Sequence, residues 1–275
     1  MFHITSLSDI AGQMTETSAG ADTLTVAGVL LPSGGLRQIR KKLPVQLPKW
    51  RNATDSDVEA VVSIALGECL ALSAASVDKT AEQWTNFWQD AADVHRAVAS
   101  LERGSVSFLK AATMIKIILF GHSSAACLGN AIFTKLIPDA LRRHGMLETC
   151  EDVILDNEIQ GKDNRDALIE AWRATNSYQP WSNAAGLARK AKSLQLKTEQ
   201  SEPLLLLADY VAGIVHASHS RVDTLSKSRV SAKAAAHALI RLRSSKRFAD
   251  YSGTVLLDYF AVYPNFKHFS RRRAA

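Results

Sequence analysis

The sequence predicts an α/β or mixed α+β protein in which one sheet is flanked by helices. Strand-like segments rich in Val, Leu and Thr alternate along the chain with segments of helical periodicity. The first two strand-like segments are close enough in sequence to form an antiparallel pair. The 275 residues are 47% hydrophobic and 22% charged, with 14 Gly and 7 Pro, which excludes collagen-like, low-complexity and largely disordered chains.

The N-terminal third of the chain predicts a hairpin followed by two helices. Strands are expected at 2–9 and 23–31, on either side of a polar connection that contains glycine. Residues 32–35, Pro-Ser-Gly-Gly, break the chain before a short helix that ends near Pro44; they lack the spacing of a phosphate-binding loop. Either Asp55 or Asp57 is expected to cap a second helix that runs to about Gly67.

The remaining elements follow from the same patterns. Apolar runs predict strands at 69–77, 152–156 and 194–197, the second of them central in the sheet. Helical periodicity predicts a helical insertion over about 80–149 and helices over about 163–174 and 203–217. No internal repeat is evident, so we expect one domain that spans residues 1–275.

Cysteine usage and the N-terminus favour a cytoplasmic protein. Cys69, Cys127 and Cys150 are odd in number and lack paired spacing, which argues against disulfide frameworks and zinc knuckles. No basic segment precedes an apolar run at the N-terminus, so a signal peptide is not expected. Residues 117–134 carry no formal charge, but polar residues and two glycines interrupt them, which favours a buried helix over a membrane span.

Basic residues are concentrated at the C-terminal end. Residues 219–275 contain twelve Lys and Arg against three Asp, a net charge of +9, whereas the whole chain carries +6. This basic C-terminal segment is expected either to bind nucleic acid through its phosphates or to form a solvated helix face with a frayed tail.

Four acids occupy similar positions in the predicted elements. Asp9, Asp78 and Asp156 each end a strand, and Asp209 lies within an otherwise apolar helix, where an unpaired charge is costly to bury. Carboxylates that converge from strand ends and one helix form a hard oxygen site suited to Mg²⁺ or Mn²⁺. Such a site serves phosphoryl displacement. Taken singly, Asp9 and Asp156 could instead form turns at the ends of their strands, and Asp78 could pair with Lys79 or another base. Asp209 could form a buried salt bridge or cap a neighbouring helix.

Two histidines and one cysteine carry weaker signals. His216 and His219 are three residues apart, a spacing that a helix can use for a metal, but no acid completes an HExxH motif. We interpret them as surface or accessory residues. Cys127, in an apolar segment, is expected in the core rather than as a nucleophile.

Several motifs resemble the bacterial domain of unknown function 3800 family. They are Ser-Asp-Ile-Ala-Gly at 8–12, the strand at 24–31, Val-Ile-Leu-Asp at 153–156 and, above all, Leu-Leu-Ala-Asp-Tyr-Val-Ala-Gly at 206–213. The resemblance implies a ribonuclease H-like mixed sheet with acids placed as in metal-dependent nucleases. It assigns Asp9, Asp156 and Asp209 as metal ligands, with Asp78 as a weaker match among the catalytic acids.

The sequence departs from the family pattern beside Asp9. Family members commonly carry Asp-Glu-Ser-Gly there, whereas Ile10 and Ala11 follow Asp9 in this chain, so the second carboxylate is missing. We therefore expect either a Mg²⁺- or Mn²⁺-dependent nuclease or phosphodiester hydrolase, or an inactive binding or regulatory module of the same fold. A small-molecule phosphohydrolase is a third possibility, which a weak salt dependence of substrate binding would distinguish.

Overall fold

The structure, a computed structural model, describes residues 4–12, 22–78, 80, 150–157, 193–220, 229–250 and 252. Apart from Thr80, the predicted helical insertion 80–149 lies outside the described residues, as do Cys127, the segment 117–134 and the predicted helix 163–174. The prediction of a single domain over residues 1–275 stays a prediction.

Six strands and four helices longer than one turn are described. The strands are β1 (Ile4–Ala11), β2 (Thr23–Pro32), β3 (Ala71–Asp78), β4 (Cys150–Asp156), β5 (Ser193–Lys197) and β6 (Phe248–Asp250). The helices are α1 (Leu36–Lys42), α2 (Asp55–Glu68), α3 (Leu205–His219) and α4 (Ala232–Ser244). Every strand and helix predicted within these residues is present, and the predicted and observed ends agree to within three residues.

The strands form one mixed sheet in the order β5-β4-β1-β2-β3-β6. The first three strands are antiparallel to their neighbours in sequence, which confirms the predicted pairing of β1 with β2. Strand β4 runs parallel to β1, β5 parallel to β4, and β6 parallel to β3. The predicted α/β class with a mixed sheet flanked by helices is therefore confirmed. Strand β4, which the sequence predicts to be central, lies second from one edge of the sheet. Among the strands that end in a predicted acid, β1 is the most central.

Helix α3 forms the centre of the core. It packs on β1 and β2, and its residues are buried almost all round, as expected of a helix whose sequence is apolar on every face. Leu7 of β1, Leu72 of β3 and Leu207 and Tyr210 of α3 are fully buried in one cluster. Burial of each of these leucines stabilises the fold by about 1.5–3 kcal/mol relative to an exposed side chain. None of the helices in the described ranges has both the length and the apolar character needed to cross a bilayer.

The cap of α2 differs from the prediction. Thr54 is the N-cap, since its backbone is extended and its Oγ1 accepts the Asp57 N–H, while Asp57 Oδ2 accepts the Thr54 N–H at 2.9 Å. This reciprocal pair is a capping box. Asp55 instead accepts the backbone N–H and the hydroxyl of Ser231 at 2.7 and 2.8 Å, which ties the start of α4 to the start of α2.

Helix α4 and strand β6 are absent from the sequence prediction. They hold part of the basic C-terminal segment against the body of the protein. Arg241 pairs with Glu59 of α2, and Arg243 pairs with Asp250 at 2.7 Å. Arg247 donates to the carbonyl oxygens of Leu66, Gly67 and Cys69, where the last turn of α2 leaves acceptors unsatisfied. Part of the +9 charge therefore supports the fold.

Candidate metal centre

Parallel pairing brings Asp9 and Asp156 to the same edge of the sheet. The register between β1 and β4 ends with Ser8 opposite Leu155, so the next residue of each strand is an aspartate. Side chains of a strand alternate between its faces, which places Asp9 with Leu7 and Asp156 with Ile154 on the face that α3 covers. Both aspartates are buried, at 4% and 5% exposure. This juxtaposition is the one expected from the sequence.

Glu199 is the third carboxylate of the cluster. It lies in the turn between β5 and α3, where the Ser201 and Glu202 N–H groups both donate to the Thr198 carbonyl. One oxygen of each of Asp9, Asp156 and Glu199 lies within 4.8 Å of the others, and no other such acidic, histidine or cysteine group occurs in the described residues. We call these three residues the acidic cluster.

Sequence reasoning missed Glu199, although a usable signal was present. The residue follows the predicted strand 194–197 by two positions, and β5 neighbours β4 in parallel. The rule that selected Asp9 and Asp156, an acid at the carboxyl end of a strand, extends to it if the following turn is included.

Lys49 places a positive charge on the acidic cluster. Its Nζ pairs with Glu199 Oε1 and lies 3.6 Å from Asp156 Oδ2. Burial alone would lower the pKa of Lys49, but the bond to Glu199 and the charges of Asp156 and Asp9 outweigh burial and raise that pKa. The ammonium therefore remains charged at neutral pH. The sequence offered no signal for this residue, because 150 positions separate it from Glu199.

Asp209 lies beside the acidic cluster but is not one of its three members. Its Oδ2 accepts the Trp50 N–H at 2.7 Å, and no Lys or Arg of the described chain forms an ion pair with it. Burial raises the pKa of Asp209 to about 6; the Trp50 N–H and Lys49 oppose this rise, and Glu199 and Asp156 add to it. The expected proximity to Asp156 is thus present, whereas its role as a metal ligand stays a prediction.

Asp78 is not brought together with the other acids. It ends β3, two strands away from β1, and Ala74 is the β3 residue level with Asp9. Two strand spacings of about 4.8 Å and four residues of about 3.3 Å therefore separate Asp78 from Asp9 in the sheet. Its Oδ1 accepts the Thr80 N–H at 2.8 Å and the Thr80 hydroxyl. The sequence left such a turn open for Asp9 and Asp156, whereas for Asp78 it left open an ion pair with Lys79 or another base.

The donor set of the acidic cluster fits a hard divalent cation. Burial and the negative charge of Glu199 raise the pKa of Asp156, although Lys49 and the Asn157 N–H oppose the rise. Like charges in a buried site are costly, and a cation relieves that cost. Carboxylate oxygen ligands suit Mg²⁺ or Mn²⁺.

His216 is buried rather than a surface residue, which corrects the sequence interpretation. It is 6% exposed, because α3 packs directly on β1 and β2. Its Nδ1 lies 3.3 Å from Thr25 Oγ1, which in turn lies 2.7 Å from Ser76 Oγ. Burial lowers the pKa of His216. His219 instead has its Nε2 3.4 Å from an Arg243 nitrogen, so the rings of the two histidines have different polar neighbours.

No model of a protein family matches the chain, and no curated protein is significantly similar to it in sequence. The resemblance to the domain of unknown function 3800 family therefore rests on the motifs around Asp9, Asp156 and Asp209. The geometry supports a coarser conclusion by itself: a buried carboxylate cluster that could hold a metal lies at one edge of a mixed α/β sheet.

Proposed function

We propose that the protein is a divalent-metal-dependent nuclease or other phosphodiester hydrolase. The observation that carries this proposal is the acidic cluster, in which three buried carboxylates from β1, β4 and the turn after β5 approach within 4.8 Å. In this proposal Asp9, Asp156 and Glu199 bind Mg²⁺ or Mn²⁺. The bound ion would supply Lewis-acid chemistry by lowering the pKa of a water and stabilising a leaving oxygen.

The sheet supports a ribonuclease H-like fold within this proposal. The first three strands, β1 to β3, form an antiparallel succession. On the other side of β1, β4 pairs in parallel with β1 and β5 pairs in parallel with β4. That arrangement of the first five strands is the one that a ribonuclease H-like sheet has. The acidic cluster lies at the carboxyl ends of β1 and β4, the edge at which ligands of open α/β sheets commonly bind.

The neighbouring side chains have roles that follow from their contacts. Asp209 holds the backbone of Trp50, and Tyr210 donates its hydroxyl to the Pro48 carbonyl at 3.0 Å. These two bonds fix the segment that presents Lys49 to the acidic cluster. The family resemblance also implies that Asp209 is a direct metal ligand and that Asp78 contributes to catalysis. Both roles rest on that resemblance alone.

Nucleic acid is the proposed substrate class, and the basic C-terminal segment is its proposed contact. The support is the net charge of +9 over residues 219–275. Arg241, Arg243 and Arg247 are engaged within the protein, so Lys233 and Lys246, both exposed on or beside α4, are better positions for a test. Exchanging both for Gln should weaken binding and flatten the slope of log affinity against log salt.

Hydrolysis assays test the catalytic proposal directly. The purified chain would be incubated with Mg²⁺ or Mn²⁺ and with bis-p-nitrophenyl phosphate or end-labelled DNA and RNA, single- and double-stranded. We expect cleavage that chelation removes and that Asp156→Asn reduces by at least about a hundredfold. Glu59→Gln is the matched control, since it removes an exposed carboxylate of α2 that pairs with Arg241 and is not a member of the acidic cluster. Absence of cleavage under every condition, or cleavage that Asp156→Asn retains, would contradict the proposal.

A non-catalytic binding or regulatory module is the second candidate. One observation favours it: the Lys49 ammonium already neutralises part of the acidic cluster without any metal. Such a module would bind nucleic acid with strong salt dependence. It would show no hydrolysis, and Asp156→Asn would leave its binding unchanged.

A further inference from the structure

Lys49 occupies a position that a divalent cation would need. Its ammonium pairs with Glu199 Oε1 and lies 3.6 Å from Asp156 Oδ2, and both residues belong to the acidic cluster. A carboxylate oxygen that bonds an ammonium offers its lone pairs to that group. A metal ion that takes the same oxygens must therefore displace Lys49 or share them with it.

The structure allows this side chain to move while its backbone stays fixed. The Trp50 N–H is bound to Asp209, and the Pro48 carbonyl accepts from Tyr210, so both neighbours of Lys49 are anchored to α3. The side chain of Lys49 is 38% exposed and has a flexible four-carbon stem. Rotation about that stem can move the ammonium into solvent and requires no change in the fold.

The charges around the acidic cluster determine how strongly the displacement of Lys49 affects metal binding. With Asp209 ionised, four carboxylates lie in or beside the cluster, and Lys49 is the basic residue that pairs with its Asp156 and Glu199 among the described residues. Without Lys49, the metal-free cluster would carry its full charge repulsion. The binding free energy of a divalent ion would then be more favourable, because the ion would relieve that repulsion.

We propose that Lys49 is a resident cation of the acidic cluster, which competes with the divalent metal ion for Asp156 and Glu199 and so sets the metal concentration at which the site fills. This inference rests on the proposed function, because it takes the cluster to be a metal site. It adds a regulator of that site: Lys49 neutralises part of the charge of the metal-free cluster, and a metal ion binds only in competition with it.

Titration calorimetry of the full chain with MnCl₂ tests the proposal. For Lys49→Gln we expect the Mn²⁺ dissociation constant to fall about tenfold, which corresponds to about 1.4 kcal/mol. Lys49→Arg retains the charge and should bind Mn²⁺ about as the wild type does. Lys197→Gln is the matched control, since Lys197 lies opposite Asp156 on β5 but forms no ion pair among the described residues. It should change the constant much less than Lys49→Gln.

The outcomes separate this inference from the proposed function. If the wild type binds Mn²⁺ and Lys49→Gln binds it no more tightly, the competition is refuted and the metal site stands. The same holds if Lys197→Gln tightens binding equally, because general charge would then explain the effect. If Lys49→Gln binds Mn²⁺ and the wild type does not, the competition is supported in its strongest form. Failure of all four proteins to bind would overturn both the inference and the metal-dependent function.

Discussion

Gly213 of α3 lies directly beneath the ring of Trp50. A Cβ at position 213 would overlap the indole atoms Cγ, Cδ1 and Cδ2, so the ring packs directly against the backbone of α3. Tyr210, one turn earlier, packs against the same ring edge to face, with centroids 5.8 Å apart. Since Trp50 follows Lys49, this close approach of a loop to a helix determines where the ammonium meets the acidic cluster.

Gly213→Ala should therefore destabilise the protein. The added methyl group forces the Trp50 ring away from α3, and overpacking of this kind costs about 1–3 kcal/mol. Chemical denaturation measures the loss. Gly67→Ala is the control in α2, where a Cβ meets no atom within 4 Å. That exchange should stabilise the protein by about 0.5–1 kcal/mol through helix propensity. Equal stability of Gly213→Ala and the wild type would contradict the packing.

Asp209→Asn should stabilise the metal-free protein at neutral pH. The pKa of Asp209 is raised to about 6 from 3.8, so the native state prefers the protonated carboxyl. The stability that this preference provides is fully present below about pH 3.8 and is lost as the pH rises to about 6. Asparagine keeps an acceptor for the Trp50 N–H without the charge.

The gain for Asp209→Asn relative to the wild type should be at most about 3 kcal/mol above pH 6 and should shrink towards pH 4. Thermal unfolding at several pH values, without metal, measures it. A variant that is less stable than the wild type at pH 7 would show that the charged form of Asp209 is favoured by its surroundings.

Asp250→Asn should have the opposite pH dependence. Burial opposes ionisation of this carboxyl, but bonds from Ser252 and Arg243 outweigh burial and lower the pKa of Asp250 below 3.8. Its stabilising contribution is present above about pH 3.8 and is lost as the pH falls through the lower native pKa. The variant should thus be less stable at pH 7, and the difference should disappear in acid. The same unfolding series tests both aspartates.

Glu202→Gln should weaken the attachment of α1 to the start of α3. Glu202 is buried and accepts two bonds from Arg40, at 2.9 and 2.5 Å. The exchange leaves a guanidinium without its counter-charge, at a cost of about 1–3 kcal/mol, because Arg40 is partly exposed. Glu68→Gln is the control, since its pair with Lys42 is exposed and should contribute less than about 1 kcal/mol. If the two substitutions reduced the free energy of unfolding equally, the expectation that the buried carboxylate contributes more would be wrong.

Removal of one cluster carboxylate should abolish metal-dependent stabilisation. Mn²⁺ at a hundred times its dissociation constant should stabilise the wild type by about 2.7 kcal/mol. Asp9→Asn, Asp156→Asn and Glu199→Gln should each remove most of this gain while the far-ultraviolet circular dichroism stays unchanged. Melting temperatures with and without Mn²⁺ measure it. Asp78→Asn is the matched control and should respond to Mn²⁺ as the wild type does. If Asp78→Asn lost the stabilisation by Mn²⁺, Asp78 would contribute to the metal site.

Local patterns in the sequence were sufficient for the elements that lead to the site. Alternation and apolar runs located β1 to β5, and the predominantly apolar character of 203–217 located α3. The aspartates at the ends of β1 and β4 could be paired in advance, because parallel neighbours present their carboxyl ends at one edge. Helix α4 was missed since its basic and small residues resembled a solvated tail, and only the contacts of Arg241, Arg243 and Arg247 reveal its attachment.

The sequence by itself determined the mixed α/β sheet and the placement of Asp9 and Asp156, because strand periodicity and strand-end position are local properties. Only the tertiary structure decided that Glu199 completes the acidic cluster, that Lys49 neutralises part of it, and that Asp209 binds the Trp50 backbone. Those relationships join residues 43 to 190 positions apart along the chain. They depend on how closely a loop can approach α3, which the absence of a side chain at Gly213 permits.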